Sequence, residues 1–443
     1  MADQLLIRMF YVGLGDFIYC RIPGAHENGG DFHIVIDCGT LSGEGYLRDA
    51  VPLLKKELPE ENGKKRLDLL IVTHKHKDHM AGFGLPLWDD VAIKAMWMSA
   101  AMKPGNPQAK RASKLHELAG QALTQAVTLN LGPEFDALFG AYAADNDTAV
   151  QNLTKNLPNS NGIEPVYVHA GQSTGGDLKL PIAGATFHIL GPEEDIDHWY
   201  LGKPEDSSIS KLVQLADDGE VERFISVPRG SEALPRNVAP IDFRNLQSRM
   251  LSSALAFSEG DGALVNNTSV VLLIEWNGKR LLFVGDAEWQ PKFKEGKGNS
   301  SWNTIWNRHR ALLDKPVDFL KVGHHGSINA TPWGEGIDRA PGTSYEPVDI
   351  LNAILPPGSK AQAAASTERG RYKTIPEAKL LVDLGGRIGN SKKYAPAFKA
   401  ADIKPETIKL YKEYEVLSFS SPQPPRTDFE KLAAHAPWVD IMI

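Results

Sequence analysis

Short apolar runs alternate along the chain with segments of helical spacing. Leu5–Val12 and Phe17–Ile22 read as strands flanking the turn Gly13-Leu14-Gly15-Asp16, and His33–Asp37 is a third run that stops at Cys38-Gly39-Thr40. Leu47, Val51, Leu54 and Leu58 share one face, so Tyr46–Leu58 reads as a helix. Leu67–Thr73 is predicted to be a buried strand and Ile93–Met98 another. Residues 109–157 have a helical texture, and strand texture returns at Val166–His169 and Ala185–Leu190. Val270–Trp276 and Arg280–Val284 flank Asn277-Gly278, a strong short hairpin signal because both turn residues tolerate positive φ. Val317–Val322 and Val348–Leu355 read as later strands, and Pro376–Leu384 as a helix.

This alternation predicts an α/β domain over residues 1–390, interrupted by insertions at about 100–162 and 192–262. The second insertion is polar and rich in turn residues. Residues 391–443 are expected to form a C-terminal extension packing on the core, reached through the linker-like Ser421-Pro422-Gln423-Pro424-Pro425. No internal repeat or low-complexity tract stands out.

Composition narrows the class. The 443 residues are 42% hydrophobic and 23% charged, ordinary globular chemistry with ample core. A formal net charge of -7 excludes a globally basic, histone-like binder and leaves room for a local basic groove. Two cysteines, Cys20 and Cys38, are too few for a disulfide framework or a thiolate zinc cage. Cys38 reads as a buried structural thiol. The N-terminal stretch lacks the basic region, apolar run and small-residue cleavage site of a secretory leader. Nothing approaches the ~18 to 20 apolar residues of a membrane helix. A cytoplasmic address and no membrane partner are expected.

Three places carry chemistry. Thr73-His74-Lys75-His76-Lys77-Asp78-His79 follows an apolar strand directly, and three histidines with an aspartate are costly to bury unless each finds a partner. Divalent metal is the economical partner: two histidines at i and i+2 can converge on one ion while the Asp-His pair turns toward another. The competing reading, a solvated polar loop, is improbable for so dense a motif. Leu281–Asp286 is an apolar strand, a glycine and a lone carboxylate, which by itself is usually a turn or helix cap. Lys321-Val322-Gly323-His324-His325-Gly326-Ser327 is again a buried strand ending in histidines, equally readable alone as an exposed turn.

Together these motifs resemble the metallo-β-lactamase superfamily over roughly residues 5–385. They are most similar to its competence-type branch, the hydrolase domain attached to bacterial DNA-uptake channels. The branch is suggested by Val12–Asp16, Asn267-Thr268-Ser269 and His324-His325-Gly326-Ser327. The resemblance implies an αββα four-layer sandwich with metals at one edge of two packed sheets. It also implies His74 and His76 on a first metal and Asp78, His79 and His324 on a second. Asp286 would bridge the two, with Asp37 orienting a histidine ligand. Most members add an upstream histidine to the first metal, where this chain has Asn266-Asn267. That position would then be completed by Asn267, water or substrate, and an oxygen-richer shell shifts the preference from zinc toward manganese. One or two divalent ions per chain are expected. His169, His188 and His198 could also donate, although ordinary surface or core roles suit them better. Asp78, His325 and Ser327 are the candidate catalytic residues, the last two as proton or hydrogen-bond donors to a leaving group.

One further stretch bears on substrate. Arg369, Arg371, Tyr372 and Lys373 suit capture of a phosphate, or form a solvated loop leading into a helix. The expected function is metal-dependent hydrolysis, with a phosphodiester in nucleic acid or a nucleotide as favoured substrate. The alternatives are hydrolysis of a lactone, thioester or amide, and a catalytically weak metal-binding module. The two insertions are candidates to lid the site or to bind a protein partner.

Overall fold

The computed structural model describes residues 4–127, 146–203, 260–294, 297–333, 346–368, 372, 375–388, 415–416 and 437–443. The chain opens with β1 (Leu6–Phe10), β2 (Ile18–Ile22) and β3 (Phe32–Ile36), then helix α1 (Glu44–Glu57). Next come β4 (Glu60–Glu61), β5 (Lys64–Leu67), β6 (Leu69–Val72), the short helix α2 (Lys77–Met80), β7 (Val91–Ile93) and β8 (Met96–Ser99). Helices α3 (Lys110–Val127), α4 (Asn146–Gln151) and α5 (Leu157–Asn161) precede β9 (Val166–Val168) and β10 (Ala185–Gly191). The hairpin β11 (Val271–Trp276) and β12 (Lys279–Phe283) leads into α6 (Ser301–Arg308), α7 (Arg310–Leu313) and β13 (Phe319–Lys321). The last elements are α8 (Glu346–Ile354), β14 (Gln362–Ala365), α9 (Ala378–Ile388), β15 (Glu415–Val416) and β16 (Trp438–Met442).

These strands form a seven-stranded sheet ordered β16-β1-β2-β3-β6-β8-β9, a six-stranded sheet ordered β10-β11-β12-β13-β14-β15, and a small sheet β4-β5-β7. The period-2 alternation of side chains explains why continuous apolar runs fill both faces. In β6, Leu69 and Ile71 join Ile34, Ile36, Leu272, Ile274, Leu281 and Phe283 in the core between the two large sheets. Leu70 and Val72 point the other way, into a layer with Leu47, Val51 and Leu54 of α1. On the second sheet, Leu273, Leu282 and Leu320 pack outward against Trp302 of α6 and Ile350 and Leu351 of α8. The result is helix, sheet, sheet, helix, the α/β sandwich expected from the sequence.

Asn277 and Gly278 both have positive φ (46° and 74°) and close the β11–β12 hairpin as read from the sequence. Val348–Leu355, expected as a strand, lies instead in or next to helix α8. Pro347, Ile350, Leu351 and Ile354 are its buried residues, a helical spacing that a short apolar run conceals. The neighbouring strand is the alanine-rich β14, whose small residues fit between the layers. Ile93–Met98 divides between β7 and β8, which belong to different sheets. Within the expected first insertion, Ala149, Leu153 and Leu157 join the outer layer of the first sheet. Most of the expected second insertion and most of residues 391–443 lie outside the described residues. The described part of that extension includes β16, which pairs antiparallel with β1. Cys20 and Cys38 are buried free thiols. Among the described residues, no helix is long and apolar enough to cross a membrane.

Candidate metal centre

Four neighbouring strands run parallel in β3-β6 and β12-β13, so their carboxyl ends bring four loops to one edge of the sandwich. The loop after β3 carries Asp37, that after β6 carries His74–His79, that after β12 carries Asp286, and that after β13 carries His324 and His325. The loops fit tightly. A Cβ on Gly39 would lie 2.3 Å from the Asp78 carbonyl carbon and the His79 nitrogen, so only glycine admits α2 here. Asp37 has a left-handed backbone (φ 57°) that turns its carboxylate back under the β6 loop. There it accepts hydrogen bonds from Thr73 N at 2.7 Å and Thr73 Oγ1 at 2.6 Å. Asn146 of α4 supports the loop from the other side, donating to Lys75 O at 3.1 Å.

Among the described residues two donor groups share Asp286 at this edge, and a third, Asp16, Asp37 and His79, shares His79 with one of them. His74, His76 and Asp286 form one, and Asp78, His79, Asp286 and His325 the other, with the ligating atoms of each group within 4.8 Å of one another. Asp286 belongs to both, the position of a bridging carboxylate. All but His76 are buried.

The hydrogen bonds fix imidazole tautomers in a way that fits cations. His325 Nδ1 lies 2.8 Å from the carbonyl oxygen of Ser366, which can only accept, so Nδ1 carries the proton. His325 Nε2 then faces Asp78 Oδ2 at 3.0 Å. Likewise His79 Nδ1 donates to Asp37 Oδ2 at 2.7 Å, leaving Nε2 facing Asp286 Oδ2 at 3.2 Å. His79 Nε2 and Asp286 Oδ2 are both buried without a hydrogen-bond partner. His74 Nε2 faces His76 Nδ1 at 3.1 Å. The His79 and His325 pairings each set an imidazole nitrogen against a carboxylate oxygen, an arrangement that a positive charge between them, proton or metal cation, satisfies.

The electrostatics agree. Burial pushes the His79 and His325 pKa values down, but carboxylates outweigh it and raise both: Asp286 and Asp37 at His79, and Asp78, Asp286 and Asp16 at His325. Burial pushes Asp78 and Asp286 up, and the surrounding imidazoles hold both below the ordinary carboxylate range. Burial drives His76 down to about 4 and His74 well below its usual value, so both are neutral donors at pH 7. Burial raises Asp37, with His79 and Thr73 offsetting part of the rise.

The structure sorts the remaining expectations. His324, expected among the ligands, lies outside both donor groups; His325, expected as a proton donor, lies within one. Both have positive φ (41° and 54°), and this tight turn carries the second imidazole inward and leaves the first at the rim. His324 is 25% exposed, with Nδ1 3.7 Å from Glu288 Oε1. The Ser327 hydroxyl donates to Asn329 Oδ1 at 2.7 Å. Asn267 is spent on local structure: Oδ1 accepts from Ser301 N at 2.7 Å and Glu288 N at 3.2 Å, while Nδ2 donates to Ala263 O at 2.8 Å. His169 contacts Ala170 O, His188 contacts Glu275 and His198 stacks edge-on against Trp199. Arg369, Arg371 and Lys373 lie outside the described residues, and Tyr372 is half-buried.

Sequence reasoning gave no role to Asp16, Lys321, Ser269 or Ser366. Ser269 Oγ accepts from Asp286 N at 3.0 Å and lies 3.2 Å from His74 Nδ1, joining the two groups from beneath. Its place directly before the hairpin strand was the available signal.

Residues 27–188 match the family described as the metallo-beta-lactamase superfamily. The matched segment contains Asp37 and all of His74–His79 and ends before Asp286 and His325. No curated protein matches the chain.

Proposed function

We propose that this protein is a metal-dependent hydrolase that cleaves a phosphodiester in nucleic acid or a nucleotide. The observation that carries the reading is the pair of buried donor groups sharing Asp286, with imidazole nitrogens facing carboxylate oxygens at 3.0 and 3.2 Å in the Asp78–His79–Asp286–His325 group. His74, His76 and Asp286 would hold one divalent ion, and Asp78, His79, Asp286 and His325 a second. Bound there, such ions supply Lewis acidity and lower the pKa of a water toward neutrality. The chain's own residues prepare that chemistry. Asp37 and the Ser366 carbonyl hold His79 and His325 in the tautomer whose Nε2 is free to ligate. The sheet edges exclude water from the buried donors, which strengthens their interaction with charge. His324, at the rim beside Glu288, would hydrogen-bond substrate.

Zinc and manganese both suit a histidine and carboxylate set of this kind. Two sequence features support a phosphodiester over a carbonyl substrate. The first is the likeness to the competence-type branch through Asn267–Ser269 and His324–Ser327. The second is the sequence Arg369-Gly370-Arg371-Tyr372-Lys373, which begins three residues after Ser366.

The test is an activity panel on metal-loaded protein, covering single- and double-stranded oligonucleotides, an aryl phosphodiester, lactones and thioesters. Phosphodiester cleavage is expected, with Arg371→Ala lowering kcat/KM by an amount worth about 1.5 to 3 kcal/mol at unchanged metal content. Cleavage of lactones or thioesters with no phosphodiester turnover would overturn the substrate. Metal binding with no turnover at all would leave a binding module.

A further inference from the structure

The two donor groups are unequal. One offers four protein donors, the other only His74, His76 and Asp286. Directly beside the poorer group is the turn that precedes β11. Ser269 N donates to Asn266 O at 3.0 Å, and the Ser269 hydroxyl contacts His74 Nδ1 and takes the Asp286 amide.

Two asparagines occupy this turn, and their side chains differ. Asn267 uses both ends of its amide within the fold, as described above. Asn266 does not. Its Nδ2 donates to Glu288 Oε1 at 2.9 Å and lies 3.5 Å from His324 Nδ1. A carboxylate accepts, so the bond to Glu288 assigns the nitrogen to that side and turns Oδ1 away from it. Asn266 Oδ1 is buried with no hydrogen-bond partner, on a residue only 5% exposed. An amide oxygen stranded in this way costs about 1 to 3 kcal/mol unless something completes it. Two further partnerless buried atoms at this edge, Asp286 Oδ2 and His79 Nε2, belong to the metal donor groups; a third, Asn146 Oδ1 beside Lys75, does not.

We propose that Asn266 Oδ1 is the fourth protein donor of the His74–His76–Asp286 position, with Glu288 holding the amide in its ligating orientation. The assignment rests on the metal-dependent reading above. It makes this position two nitrogens and two oxygens, one from a neutral amide, whereas the other combines two imidazoles with two carboxylates. A carbonyl-type oxygen favours harder ions, so the Asn266 position takes Mn2+ more readily, relative to Zn2+, than a three-histidine site would.

The experiment is a titration of metal-stripped full-length protein with Mn2+, followed by electron paramagnetic resonance and checked by elemental analysis. Wild type should bind two ions in separable steps. Asn266→Ala should weaken the weaker step at least tenfold and leave the tighter step unchanged. Asn266→Asp, which keeps the oxygen and adds charge, should tighten the weaker step, and this variant carries the test if the alanine form fails to fold. Asn266→His should shift the weaker step toward Zn2+. Two wild-type binding steps in Asn266→Ala, or an unaltered weaker step in Asn266→Asp, would overturn the Asn266 assignment alone. Failure of the wild-type chain to bind Mn2+ or Zn2+ would overturn the metal-dependent reading beneath it.

Discussion

Lys321 and Asp16 form an ion pair of 2.8 Å behind the metal centre, with both side chains almost wholly buried. Lys321 Nζ also donates to Val322 O, and the Ser366 hydroxyl donates to the second oxygen of Asp16. Asp16 lies 3.9 Å from His79 Nδ1 and 4.0 Å from His325 Nδ1. Burial pushes its carboxyl up, and Lys321, His79 and His325 together hold it below the ordinary range. Three loops therefore meet on one charge: the turn at Gly15-Asp16, the end of β13, and Ser366, whose carbonyl orients His325.

Removing one member of this pair strands the other. Lys321→Met should destabilise the fold by about 3 to 5 kcal/mol, because the fully buried Asp16 carboxylate loses its ammonium partner. The double variant Asp16→Asn/Lys321→Met should recover most of that loss. Urea unfolding of the wild type, both single variants and the double variant measures the coupling. Additive losses would show that the two side chains do not act as a pair.

The candidate donors come from both sheets, so a bound metal would tie the halves together. Chelation should lower Tm, and Asp286→Ala should both abolish that difference and cost both ions. His74→Ala should remove one ion and spare the Asp78–His79–His325 position. Elemental analysis beside calorimetry decides, and equal loss of both ions in His74→Ala would show that the division of donors is wrong.

His33 supplies a pH signal away from the metals. Burial, reinforced by Arg66, pushes its pKa down to about 4, and Tyr19 OH lies 2.8 Å from Nδ1. A base with a depressed folded pKa is protonated first in the unfolded chain, so stability falls as pH drops from about 6.5 toward 4. Each unit of difference corresponds to about 1.4 kcal/mol at most. Unfolding free energies of the metal-free protein at pH 7.5 and pH 5 should differ less in His33→Gln than in wild type. An unchanged difference would remove His33 as its source.

The sequence disclosed the candidate donor cluster where chemistry was dense and hid it where geometry decides. His74–His79 was legible because so many costly groups in one loop demand a common partner. Asp286 became readable only in that company. Asp16 and Lys321 are 305 residues apart, and a lysine ending an apolar strand gives no sign that it is buried. Neighbouring identical residues were the hardest to separate. Turn geometry alone decides that His325 faces inward and His324 outward, and that Asn267 is spent while Asn266 is not. The fold was legible in its two-sided strands. It failed at Val348–Leu355, where a short apolar run carries too few residues to separate a helical from a strand period.

The pairing of β16 with β1 has a consequence for biosynthesis. Arg8 forks onto Asp440 at 2.6 and 2.8 Å and lies 4.3 Å from the Trp438 ring, partners separated from it by up to 432 residues of chain. At about 5 to 20 residues per second, a ribosome needs roughly 20 to 90 seconds to bridge that interval. For all that time Leu6–Phe10 presents an open hydrogen-bonding edge, the feature most apt to recruit a foreign strand. Until β16 arrives, that edge of the nascent sheet has no partner strand, so closing the seven-stranded sheet waits on nearly the whole length of the chain.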